Sequence, residues 1–91
     1  MSITIQVPAV LSGYCEGASE LALSAPSVRA ALEYIEQRHP LLYRNVCDET
    51  GAVRRHMNIF VNVSHMRDLN GLDTALVPGD VITILPAVSG G

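Results

Sequence analysis

The chain opens on an alternation. Ile3, Ile5 and Val7 are apolar, while Ser2, Thr4 and Gln6 are polar. Successive side chains of a strand point to opposite faces, so Ser2–Val7 is expected to be a strand with one buried face. Pro8 ends it, and a loop carrying Gly13 and Gly17 follows. Leu21 and Leu23 then alternate with Glu20, Ala22 and Ser24, which predicts a second strand and an N-terminal hairpin with a long turn.

The period then changes. Val28, Ala31, Leu32 and Ile35 recur at helical spacing and form one apolar stripe, with Arg29, Glu33, Glu36 and Gln37 largely off it. Ser27 is the expected N-cap. Arg38 and His39 suit the negative end of the helix dipole, and Pro40 stops the helix. Leu41, Leu42, Tyr43 and Val46 predict a short turn or helical segment over one end of the core. Asp48–Gly51 reads as a loop, and Arg54–Val63 as a strand strongest at Ile59–Val63. Asn70–Gly71 marks a turn, and Leu72 and Leu76 bracket a short connecting segment. Val77-Pro78-Gly79-Asp80 predicts a type II turn: proline presets the first central dihedral, and glycine accepts the positive one. Val81–Leu85 is the last strand.

Four or five strands around one main amphipathic helix predict an α+β roll, a mixed sheet covered on one face. The first and last strands are rich in Ile and Val and low in charge, so they are expected side by side, parallel, at the sheet centre.

Composition narrows the function. Ninety-one residues make one small domain, and 48% hydrophobic content argues against disorder. The formal charge of −3 supplies no basic footprint for nucleic acid or an anionic membrane. No apolar run reaches ~18 residues and no signal peptide is visible, so the expected location is cytoplasmic. Cys15 and Cys47 form neither a CxxC pair nor a zinc spacing with His39, His56 or His65. They are expected as unpaired thiols, with no metal site. All six cationic side chains are Arg; without Lys the chain cannot be linked to itself through lysine.

No enzyme site emerges. There is no phosphate-binding loop, and no local support for a Cys–His pair. Arg54-Arg55-His56 reads as a solvated strand end rather than an anion site. What remains is the ending, Pro86-Ala87-Val88-Ser89-Gly90-Gly91. Ala87–Gly91 would extend ~17 Å, and apart from Val88 its residues are small. Such a tail can thread a narrow channel, delivering the Gly91 carboxylate. That group is a poor electrophile until a partner activates it.

The stretches PGDVITILPAVSGG and NIFVNV, with the N-terminal IQVP, resemble the ThiS/MoaD family of ubiquitin-like sulfur carriers, and within it the CysO-like subgroup. The resemblance implies a β-grasp fold over residues 1–86, with a flexible Gly-Gly tail at 87–91. It also implies that an E1-like enzyme uses ATP to adenylate Gly91, which becomes a thiocarboxylate. The acceptor would belong to a downstream enzyme. In the CysO-like subgroup this is a PLP-dependent cysteine synthase, with a metalloprotease releasing the cysteine; related carriers serve thiolated cofactors and secondary metabolites. The chain itself would be no enzyme and would bind no cofactor. Val88, Ser89 and Gly90 would thread the partner's active site. Phe60 and Leu85, both expected to face away from the helix, would form an apolar docking patch. Two other readings stay open: a ubiquitin-like modifier joined through Gly91 to lysines of its targets, and a β-grasp binding module that is never conjugated.

Overall fold

The computed structural model describes residues 2–87. Five strands form one mixed sheet in the order β2-β1-β5-β3-β4. They are β1 (Ile3–Gln6), β2 (Glu20–Leu23), β3 (Met57–Val61), β4 (Ser64–His65) and β5 (Val81–Pro86). The helices are α1 (Ala9–Ser12), α2 (Val28–Arg38) and α3 (Pro40–Val46). β1 pairs antiparallel with β2 and parallel with β5, so the expected hairpin and the expected central pair both form.

The core lies between the sheet and α2. Ile3, Ile5, Ile59, Ile82 and Ile84 are buried from the sheet side, and Val28, Ala31, Leu32 and Ile35 from the helix. The latter four are the stripe read from the 3.6-residue period. Ser27 caps α2, its Oγ accepting from the Ala30 N–H at 3.1 Å. That bond satisfies one of the donors a helix start leaves without an intrahelical partner. Pro40 occupies the first turn of α3, where its missing N–H costs nothing. Leu42 and Val46 from α3 close one end of the core.

Three local details differ from the sequence expectation. Residues 9–15, expected as loop, form α1 and a following 3-10 turn, Gly13–Cys15. Leu11 and Cys15 anchor them, both buried; two anchors in seven residues are too few to show as a period. The strand read as Arg54–Val63 is shorter at both ends. Before it, the Met57 N–H bonds the Arg54 carbonyl at 3.0 Å, making a turn of the first residues. After it, Asn62 takes a positive φ of 56°, a region Asn tolerates better than most residues. Val63 is thereby turned outward and is 93% exposed. Finally, β5 runs one residue further than expected, to Pro86.

The Val77–Asp80 turn forms as read. Asp80 N–H reaches the Val77 carbonyl at 3.1 Å, and Gly79 has φ +96°. Asp80 also closes it through its side chain: Oδ2 accepts from Val77 N–H at 2.9 Å, and Oδ1 accepts from Asn62 Nδ2 at 3.1 Å. Asn62 Oδ1 in turn accepts from Val81 N–H at 3.0 Å. These bonds pin the end of β3 to the start of β5. They also hold the Asp80 carboxyl below its usual range, the Val77 N–H first and Asn62 second.

Candidate functional site

The sheet face opposite α2 carries the outward side chains of β5. The pleat sends Ile82 and Ile84 to the core and leaves Thr83 and Leu85 on this outer face. β3 contributes Asn58 and Phe60 by the same alternation, since Met57, Ile59 and Val61 are buried. The β3–β5 register places Phe60 opposite Thr83 and Asn58 opposite Leu85. Phe60 and Leu85 are therefore diagonal neighbours on one face, a separation of ~7–8 Å that side chains of this length span. Leu85 is 45% exposed, while Phe60 is half-buried.

The partial cover on Phe60 comes from a residue that the pattern of apolar positions did not point to. His65 of β4 lies opposite Phe60, its ring meeting the phenyl edge-on, with centroids 5.2 Å apart at 64°. His65 Nδ1 accepts from the Arg67 N–H at 3.1 Å. The neutral ring then carries its proton on Nε2, which donates to Asn58 Oδ1 at 3.1 Å. One imidazole thus orients both Phe60 and Asn58, next to Leu85. The available signal was Asn58 itself, a polar residue on the outer side of the NIFVNV alternation.

β5 is held unequally on its two edges. Along β3 it pairs from Ile82 to Pro86, and beyond that the Ala87 N–H bonds the His56 carbonyl at 2.6 Å. Along β1 it pairs only from Val81 to Thr83. The Val7 N–H faces β2, bonding the Ser19 carbonyl, and Pro8, the next residue on the β5 side, has no donor to extend the ladder. Ala87 is the last described residue, so Val88, Ser89, Gly90 and Gly91, expected to thread a partner and carry the reacting carboxylate, lie outside the described residues.

The nucleophilic side chains lie elsewhere. Cys15 and Cys47 are both buried and unpaired. Burial pushes the Cys47 thiol up to about 11, with the Asp48 carboxylate adding to it, so little thiolate forms at neutral pH. Burial likewise raises Cys15. A cleft of about 480 Å³ between α3 and the segment after it is lined by Tyr43, Arg44, Cys47, Asp48 and Arg54, among others, with no single sign of charge. Among the described residues, no group of three His, Cys, Asp or Glu side chains is arranged to hold a metal ion. No described helix is long and apolar enough to cross a membrane.

The ThiS family model matches residues 8–91. The chain belongs to the ThiS family. Its fold is the ubiquitin-like β-grasp, a mixed five-stranded sheet with helices on one face. The chain is 32% identical to the sulfur carrier protein CysO of Mycobacterium tuberculosis over 93 residues, spanning 100% of both. The crystal structure of that protein superposes with a TM-score of 0.86, over 94% of this chain and 99% of the other. A second similar structure is one chain of the Amycolatopsis orientalis BexX/CysO complex, with a TM-score of 0.84 at 31% identity, covering 98% of this chain and 99% of that one. The third is small archaeal modifier protein 1 of Methanosarcina acetivorans, with a TM-score of 0.87 at 30% identity over 99% of this chain and 96% of that one.

Proposed function

We propose that this ThiS-family chain is a cytoplasmic sulfur carrier whose reactive group is the carboxylate of Gly91. The observation that carries the reading is the course of β5. It runs through the middle of the sheet and stays hydrogen-bonded to β3 as far as Ala87, four residues before Gly91. Those four residues span at most ~14 Å. A rigid domain with so short a lead can present one terminal carbonyl to a partner's site at high effective concentration. The likeness to CysO over the whole chain supports the same role.

The chemistry is written in two steps. An E1-like partner joins the Gly91 carboxylate to the AMP part of ATP, releasing pyrophosphate. A sulfide equivalent then attacks the acyl carbon and expels AMP, leaving a Gly91 thiocarboxylate. Glycine at the reacting carbonyl gives the least hindrance to that attack. The thiocarboxylate is a soft nucleophile, and it passes its sulfur to an acceptor held by a second enzyme. Cysteine formation on a PLP-dependent synthase, with a metalloprotease to release the product, is the route that the CysO likeness favours. Phe60 and Leu85 are the docking residues in this scheme, and Val88, Ser89 and Gly90 the part that enters the partner.

Intact mass after incubation with the activating enzyme, ATP and a sulfur donor tests the reading. The expected product has one C-terminal oxygen replaced by sulfur, and one alanine appended after Gly91 abolishes it without moving the unfolding midpoint. Full activity of a protein lacking Gly90 and Gly91 overturns the reading. A second reading, a modifier conjugated to lysines of its targets, is favoured by the likeness to small archaeal modifier protein 1. Its mark is an amide-linked conjugate that survives reductant.

A further inference from the structure

Arg54-Arg55-His56 reads in the sequence as a solvated strand end, and the fold places it beside Ala87, the last described residue. The Arg54 carbonyl accepts the Met57 N–H at 3.0 Å, so Arg55 and His56 are the two central residues of a turn leading into β3. The His56 carbonyl accepts the Ala87 N–H at 2.6 Å, the last backbone bond described before Val88. The turn is therefore the neighbour of β5 at the last described residue, and β1 has already ended on the other side.

The three side chains differ in what they are free to do. Arg54 is engaged: its Nε donates to the Arg44 carbonyl at 2.8 Å, and it shares a cleft with Asp48 and Glu49. Arg29 is paired with Asp73 at 3.0 Å, the one ion pair among the described residues. Arg38 lies over the Tyr34 ring at 5.3 Å. Arg55 and His56 are exposed, and neither has a carboxylate partner or a side-chain hydrogen bond among the described residues. In a chain of net charge −3, a guanidinium without a carboxylate partner among the described residues stands one residue from the backbone bond that holds Ala87.

We infer that Arg55, with His56 beside it, is a docking residue for carboxylates on the activating enzyme, at the mouth of the channel that receives the tail. This rests on the sulfur-carrier reading. Phe60 and Leu85 supply apolar area on the sheet face, and Arg55 supplies sign at its end. Residues 88–91 are too short to let the domain stand off, so the exit turn meets the channel rim whenever Gly91 is in place. A charge at an interface rim acts on association rate and salt dependence more than on the bound complex. The Debye length of about 10 Å at 0.1 M salt confines the effect to close partners.

The test compares Arg55→Glu with Arg38→Glu, which makes the same charge change on α2. Adenylation by the activating enzyme is followed at low and high ionic strength, with carrier and ATP varied separately. Arg55→Glu is expected to raise the KM for the carrier about tenfold at low salt. The kcat and the KM for ATP stay unchanged, and the gap closes as salt is added. Arg38→Glu is expected to behave as wild type. Equal effects of the two variants, no effect of either, or a change in the KM for ATP overturns the assignment; the last outcome would place Arg55 against the nucleotide instead. If the wild-type chain is not adenylated at all, the carrier reading fails first. Unfolding midpoints of both variants confirm that each is folded.

Discussion

β5 has an inner face and an outer face, and they do different work. Ile82 and Ile84 are each 1% exposed and sit in the core opposite α2. Thr83 and Leu85, one residue away in each case, lie on the open side, and Leu85 keeps 45% of its surface in water. Burying a leucine-sized side chain contributes roughly 1.5–3 kcal/mol, and Leu85 forgoes much of that. On the proposed carrier reading, the difference teaches where stability and recognition are separated: they alternate along one strand, residue by residue. A variant can therefore remove one with little effect on the other.

The largest expected effect comes from the inner face. Ile84→Ala should lose about 2–5 kcal/mol, through lost burial and the cavity left behind. Urea unfolding measures it, and a loss below ~1 kcal/mol would mean that the core side of β5 is not close-packed. The buried thiols sharpen the same side. In the native protein at neutral pH, Cys15 and Cys47 should resist iodoacetamide, with two adducts appearing by mass only after denaturation. Rapid native labelling of Cys47 would contradict both its burial and its raised pKa.

The outer face should respond differently. Leu85→Ala is expected to cost about 1 kcal/mol of stability, well short of Ile84→Ala, while the KM for the carrier in adenylation rises about tenfold, a loss of ~1.4 kcal/mol in binding. A large stability loss with unchanged KM would reverse the assignment of the two faces. The smallest effect concerns the turn that feeds β5. The Asp80 pKa is lowered in the folded state from the ordinary 3.8, so its contribution is complete above the unfolded value. That contribution is lost as pH falls through the folded value. The stability gap between wild type and Asp80→Asn should accordingly shrink on acidification below about pH 4, as read from urea midpoints. A gap independent of pH would remove the carboxylate from the account.

Much of this was readable along the chain, because it rests on local rules. The stripe of α2, its Ser27 cap and the Pro78–Gly79 turn each follow from a few neighbouring residues, and each forms as read. The outward positions of Phe60 and Leu85 follow from the period of two, and the family from NIFVNV and the ending VITILPAVSGG. The α1 segment was missed because Leu11 and Cys15 alone establish no period. The early end of β3 was missed because Asn62 turns in response to Asp80 and Val81, partners far along the chain.

The sequence by itself determined which residues of the long strands and of α2 face the core, where that helix begins and ends, and that the last residues are small and include two glycines. Those properties depend on side-chain period, backbone propensity and composition, all of which are local. Only the tertiary structure decided where β3 and β4 join the sheet, the His65 ring against Phe60, and the place of Arg55 and His56 beside Ala87. These depend on backbone hydrogen bonds between distant segments. The register of such bonds is selected by the packing of the whole sheet, and no local pattern encodes it.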